Sequence, residues 1–142
     1  MNTAATSLTR RISIQTSGKG LRDITPLVAD VVAQAGFDSG LCTVMVQHTS
    51  ASLVIQENVD PSVQRDLQVW LDRLVPEDDT LYTHTIEGPD DMPAHIKGAL
   101  TATTLTIPVF EGRLGLGRFQ AIYLWEHRRR GLTRHCLVHV GP

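Results

Sequence analysis

The chain reads as a single α+β domain: a mainly antiparallel β-sheet or sandwich with two or three helices. Two observations predict it. Strand-like segments stand near both ends of the 142 residues. The last three such segments, 103–109, 119–126 and 134–140, are joined by stretches too short for the crossover helices of a doubly wound sheet. The segment 119–126 also carries Phe119, Ala121, Tyr123 and Trp125 on one face and Ile122 and Leu124 on the other, so cover on both faces is expected, from helices, a second sheet or another subunit.

The elements follow in order. Residues 1–10 are polar and rich in Thr, Ser and Ala, and read as a flexible lead-in to a domain over 11–142. Residues 11–15 alternate as a first strand, which Gly18-Lys19-Gly20 breaks. Asp23 or Thr25 can cap a helix with Pro26 in its first turn and Gly36 as its stop. Residues 41–47 and 52–56 read as strands. Asp60-Pro61 opens the clearest helix, where Val63, Leu67, Trp70, Leu71 and Leu74 form one stripe. If that stripe is core, Trp70→Ala costs about 3–5 kcal/mol. Residues 81–86 suggest a short strand. Gly88-Pro89 is a turn, Asp91 a helix cap and Pro93 a first-turn residue. In that short helix Met92, Ile96 and Leu100 make an apolar stripe, His95 borders it, and Lys97 points away.

Composition narrows the function classes. A net charge of −2 gives no general attraction to nucleic acid. Arg128-Arg129-Arg130 is the only basic run and reads as a solvated loop. No apolar run is long enough to span a membrane, and no secretory h-region is visible, so the cytoplasm is the expected location. Cys42 and Cys136 sit in apolar strands without metal or redox spacing, as buried reduced thiols would.

Polar residues that lack a structural excuse mark the chemistry. Glu57 and Glu126 each end an apolar strand, where a carboxylate is costly unless paired. Six histidines occur: among them His48 ends an apolar strand, His84 lies in a polar segment before the Gly-Pro turn, and His95 borders the apolar stripe of the short helix. No close metal spacing is present, so a metal site has to gather ligands from distant segments. Gly112, Gly115 and Gly117 read as a hairpin turn rather than a phosphate loop. Ser50 has no activating partner visible in sequence.

Several blocks together resemble one family. They are Gln47-His48-Thr49-Ser50-Ala51-Ser52-Leu53, Glu57-Asn58-Val59-Asp60-Pro61, His84 through Gly88, Asp90-Asp91-Met92-Pro93-Ala94-His95-Ile96-Lys97, and Gly117-Arg118-Phe119-Gln120 before Glu126. In order and separation they are similar to the YjbQ family, the secondary thiamine-phosphate synthase proteins. The resemblance implies a homotrimer with a side activity that joins hydroxymethylpyrimidine pyrophosphate to a thiazole phosphate. It carries over His48, Ser50, Glu57, Asn58, Asp60, His84, Asp91, His95, Gln120, Glu126 and Arg134. The family usually reads Gly-Thr-Trp-Gln where this chain has Gly117-Arg118-Phe119-Gln120, which alters a pocket wall.

The reading that follows is an enzyme acting on a phosphorylated small molecule. Zn²⁺ or another divalent metal is held by His48, His84 and His95. Glu57, Glu126 and Gln120 serve the chemistry, and Ser50, Asn58, Asp91, Arg118 and Arg134 bind substrate. The alternative is a trimeric ligand-binding or assembly module without turnover. Nucleic-acid and membrane partners are not expected.

Overall fold

The computed structural model describes residues 7–77 and 80–142. Its elements are β1 (Leu8–Gln15), β2 (Gly20–Asp23), α1 (Thr25–Ala35), β3 (Gly40–Val46), β4 (Ala51–Glu57), α2 (Pro61–Leu74), α3 (Asp91–Leu100), β5 (Thr104–Phe110), β6 (Arg113–Leu114), β7 (Gln120–Glu126) and β8 (Thr133–Gly141). One sheet has the order β1-β8-β3-β5-β6, the other β2-β7-β4, and every described pairing is antiparallel. The α+β class holds.

Alternation builds the core. Cys42, Val44 and Val46 of β3 and Cys136, Val138 and Val140 of β8 face inward and meet Leu53, Ile122 and Leu124 of the smaller sheet. Val28, Val31 and Val32 of α1 join them. Gly36 closes α1 in the left-handed region at φ 75°, as its position in the pattern predicts. The other face of β7 presents Trp125 to Leu71 and Val75, so β7 is covered on both sides. Cys42 and Cys136 are free and buried, and burial pushes their thiols up to about 11 and about 12. No helix among the described residues is long and apolar enough to cross a membrane.

Several expectations need correction. β1 starts at Leu8, inside the expected lead-in, whose first six residues lie outside the described ones. β2 is an additional strand, paired with β7. Residues 81–86 are turn and irregular chain, and nothing in either sheet pairs with them. The stripe on α2 is only partly core. Leu71 is buried, whereas Trp70 is 58% exposed and Leu74 is exposed as well. The helix rests on the β2-β7-β4 sheet along its Gln64–Gln68–Leu71 side, where Gln64 and Gln68 hydrogen-bond Tyr123 and Trp125. In α3 the buried side carries Ala94 and Lys97, and Leu100 is exposed. Small residues decide this. A Cβ on Gly98 would lie 2.8 Å from the Thr49 carbonyl oxygen, so the helix backbone docks directly on the β3–β4 connection. Lys97 is then enclosed, and its Nζ donates to Asp72 of α2 at 2.5 Å.

Candidate functional site

The register of β4 with β7 sets Ala51 beside Glu126 at one end of the ladder and Glu57 beside Gln120 at the other. The strand β4 is seven residues long from one end to the other, so its six steps span about 20 Å at ~3.3 Å per residue. A cavity of about 880 Å³ opens at the Ala51–Glu126 end, lined by His48, Ser50, His84, Asp91, His95, Arg128, Arg130 and Arg134 among others.

Asp90 precedes α3, and Asp91 begins it without capping it. Asp91 and His95 are four apart, so one helical face carries both. Nε2 of His95 lies 3.1 Å from Asp91 Oδ2, and Nε2 of His84 lies 2.7 Å from the same oxygen. The two rings meet edge to face at 5.4 Å. One ligand atom from each of His84, Asp91 and His95 falls within 4.8 Å of the others. The second oxygen, Oδ1, accepts from Arg128 Nη1 at 2.7 Å, while Arg128 Nε donates to Asp90 at 3.0 Å. Burial alone would raise the Asp91 carboxyl. The His84 hydrogen bond and the Arg128 charge outweigh it and hold the group below the usual carboxylate range.

The cavity's other wall comes from the strand ends. Arg134 of β8 and Glu126 of β7 are both almost fully buried and joined by two hydrogen bonds, Nε to Oε1 at 2.8 Å and Nη2 to Oε2 at 2.5 Å. Glu126 also accepts from Thr16 Oγ1 and from the backbone N–H groups of His127 and Arg128. Five donors on two oxygens leave it no free lone pair facing the cavity. Arg134 Nη2 donates to Ser50 Oγ at 2.8 Å. Nδ1 of His48 accepts the Ser50 backbone N–H at 3.1 Å and lies 3.0 Å from Ser50 Oγ. Burial, then the Arg134 charge, lowers the His48 pKa from its ordinary value. Behind this wall His127 is fully buried. Its Nε2 meets Ser52 Oγ at 2.8 Å, Nδ1 has no partner among the described residues, and burial pushes its pKa down to about 3.

The expected site residues therefore divide. His48, Ser50, His84, Asp91, His95 and Arg134 meet at one cavity. Glu57, Asn58, Arg118 and Gln120 sit at the far end of the ladder. There Glu57 accepts the Asp60 N–H, Gln120 accepts the Gly117 N–H, the Asn58 N–H donates to Phe119, and the Arg118 guanidinium lies 5.3 Å from the Phe119 ring centre. These contacts close turns. Within one chain, Glu57 and Gln120 are too distant to act at the cavity. The carboxylate that meets the histidines is Asp91, neither Glu57 nor Glu126. Sequence reasoning missed Arg128, read as a solvated loop residue. The available signal was the doublet Asp90-Asp91, because one acid suffices for a cap and the second needs a partner.

Residues 10–141 match the family model described as UPF0047 protein YjbQ-like. UPF0047 protein sll1880 of Synechocystis sp. is 54% identical over 128 residues, covering 90% of this chain and 87% of its own. UPF0047 protein YjbQ of Escherichia coli O157:H7 is 36% identical over 130 residues, covering 91% and 94%. The crystal structure of an uncharacterized conserved protein of the YjbQ/UPF0047 family from Clostridium acetobutylicum superposes with a TM-score of 0.85 at 36% identity, covering 92% of this chain and 98% of that one. Similarity that runs through nearly the whole chain, in sequence and in fold alike, makes this protein a member of the YjbQ-like UPF0047 family.

Proposed function

We propose that this protein is an enzyme acting on a phosphorylated small molecule, with a divalent cation held by His84, Asp91 and His95. The observation that carries the reading is the convergence of three ligand atoms within 4.8 Å in an open cavity. Bonds of about 2.0–2.1 Å to a tetrahedral ion set its ligand atoms about 3.3 Å apart. The His84–Asp91 and His95–Asp91 separations of 2.7 and 3.1 Å are close to that. Two imidazoles and a carboxylate are a donor set suited to Zn²⁺, and three protein ligands leave a position open for substrate, as catalytic sites do. When bound, such an ion supplies a Lewis acid for a phosphoryl oxygen. Arg128 keeps one Asp91 oxygen occupied and so aims the other at the histidines.

The family resemblance supports a transferase of the thiamine-phosphate synthase kind, as a side activity. Calorimetric titration of metal-free protein with Zn²⁺ should show one ion per chain, and His84→Ala or His95→Ala should abolish most of that affinity. No binding by the unmodified protein would end the metal reading. An assay for pyrophosphate release from hydroxymethylpyrimidine pyrophosphate and thiazole phosphate separates an enzyme from a binding module. The same reading makes the protein a cytoplasmic homotrimer. In support, the outer face of β3 and β5 leaves Leu41, Met45 and Phe110 exposed, an apolar strip that a second copy would cover. A monomer in sedimentation equilibrium at micromolar concentration would remove the trimer.

A further inference from the structure

We infer that the wall of the cavity formed by His48 and Arg134 is an oxyanion subsite, in which Nε2–H of His48 and Nη1 of Arg134 donate to one phosphate group, and that His48 is a hydrogen-bond donor rather than a metal ligand. This rests on the reading of a phosphorylated ligand in the same cavity, and it does not need the metal.

Donor directions are forced. A guanidinium only donates, so Ser50 Oγ accepts from Arg134 Nη2. The Ser50 hydroxyl proton is then free to point to His48 Nδ1, 3.0 Å away. A backbone N–H also only donates, and the Ser50 N–H meets that same Nδ1. Nδ1 is therefore bare, and the neutral ring carries its proton on Nε2. A ring in this state offers the cavity an N–H. Both of its nitrogens are spoken for, one by Ser50 and one by its own proton, so it has no lone pair to give an ion.

Arg134 points to the same chemistry. Its Nε and Nη2 are used by Glu126 and Ser50, and Nη1 has no partner among the described residues. The side chain is 2% exposed, yet Nη1 is not a sealed, unsatisfied atom; among the described residues only His127 Nδ1 is. Arg134 lines the cavity, and Nη1 is the donor it has left to offer there. Both side chains are tied to one oxygen, Ser50 Oγ, Arg134 through Nη2 and His48 through Nδ1, which holds the two residues side by side before any ligand arrives. Glu126 offsets the Arg134 charge, so recognition here works through oriented N–H groups. A phosphate monoester or a pyrophosphate has enough oxygens to accept from both donors at once.

The test uses the full chain without metal and inorganic phosphate as the probe. Long-range ¹⁵N–¹H correlation should show His48 protonated at Nε2 and bare at Nδ1. His48→Ala should weaken phosphate binding about tenfold, the effect of one good hydrogen bond, and His48→Gln, which restores an N–H donor, should recover part of it. Zinc affinity in His48→Ala should stay within about threefold of the unmodified protein, against its loss in His84→Ala. The opposite tautomer, unchanged phosphate binding in His48→Ala, or a zinc loss as deep as that of His84→Ala would each overturn the subsite. Failure of the unmodified protein to bind zinc at all would sink the metal site and leave the phosphate and tautomer results to decide this one.

Discussion

Glu126 and Glu57 lie at opposite ends of the same pair of strands, and the chain treats them in opposite ways. Glu126 is sealed, with Arg134 as its counter-ion and five donors on its oxygens. Glu57 is half-buried, has no ion pair among the described residues, and accepts one backbone N–H. A carboxylate at the end of an apolar strand thus has two solutions, neutralisation by a cation on another strand or partial retention of water. Only the first builds a wall rigid enough to hold neighbouring side chains in place. The difference teaches that such a carboxylate marks a site only when its partner comes from elsewhere in the chain.

The largest test of this contrast is Arg134→Ala. It leaves the Glu126 carboxylate buried and unpaired and should destabilise the protein by about 3–5 kcal/mol in urea titration. Arg118→Ala at the other end should change stability by no more than about 0.5 kcal/mol. A gap of less than about 1 kcal/mol between the two variants would erase the comparison. Helix α2 provides the second test, since it crosses the ladder from Tyr123 to Trp125. Leu71→Ala, under Trp125, should cost about 2–4 kcal/mol. Trp70→Ala should cost less than about 1 kcal/mol, because Trp70 is 58% exposed.

A pH series sharpens the contrast further. His127 has a folded pKa of about 3, against an unfolded value near 6.5. Between those values the unfolded chain binds a proton that the folded chain refuses, so stability falls as pH falls through the window. The limiting slope is about 1.4 kcal/mol per pH unit. His127→Gln should flatten the urea midpoint between pH 6.5 and 4.5, and an unchanged slope would show that His127 is not the group responsible. The smallest effect belongs to Glu57→Gln, which should shift stability by about 0.5 kcal/mol or less.

Legibility from sequence followed the range of the cause. α1 and α2 were readable because their signals are local: Pro26 and Gly36 bracket one, and Asp60 caps the other through the Ser62 N–H. The two-sided cover of β7 was readable because alternation shows both faces. Lys97, Arg128 and the role of Asp91 were not. Lys97 is buried because α3 docks closely at Gly98 and because Asp72, on another helix, receives it, and Arg128 is drawn in by Asp90 and Asp91, well upstream. Trp70 was misread in the opposite sense. Five apolar positions at helical spacing look like one buried face, yet α2 meets the sheet through two glutamines together with Leu67 and Leu71, which leaves Trp70 and Leu74 on the outside. For the site, His84, His95 and Asp91 were all singled out, but their meeting on one oxygen depends on the path of residues 84–91, which no local pattern encodes.

The place of β8 in its sheet has a consequence for synthesis. It is the last described strand in chain order, yet it lies between β1 and β3. Until it has left the ribosome, β1 has no partner in that sheet and one edge of β3 stays open to other chains. The same strand carries Arg134, so the nascent chain holds Glu126 without its counter-ion until that moment. Assembly of the larger sheet and completion of the cavity wall are one event, and it comes late. Chains stalled or clipped before 133–141 would keep the open edge and lose the site together.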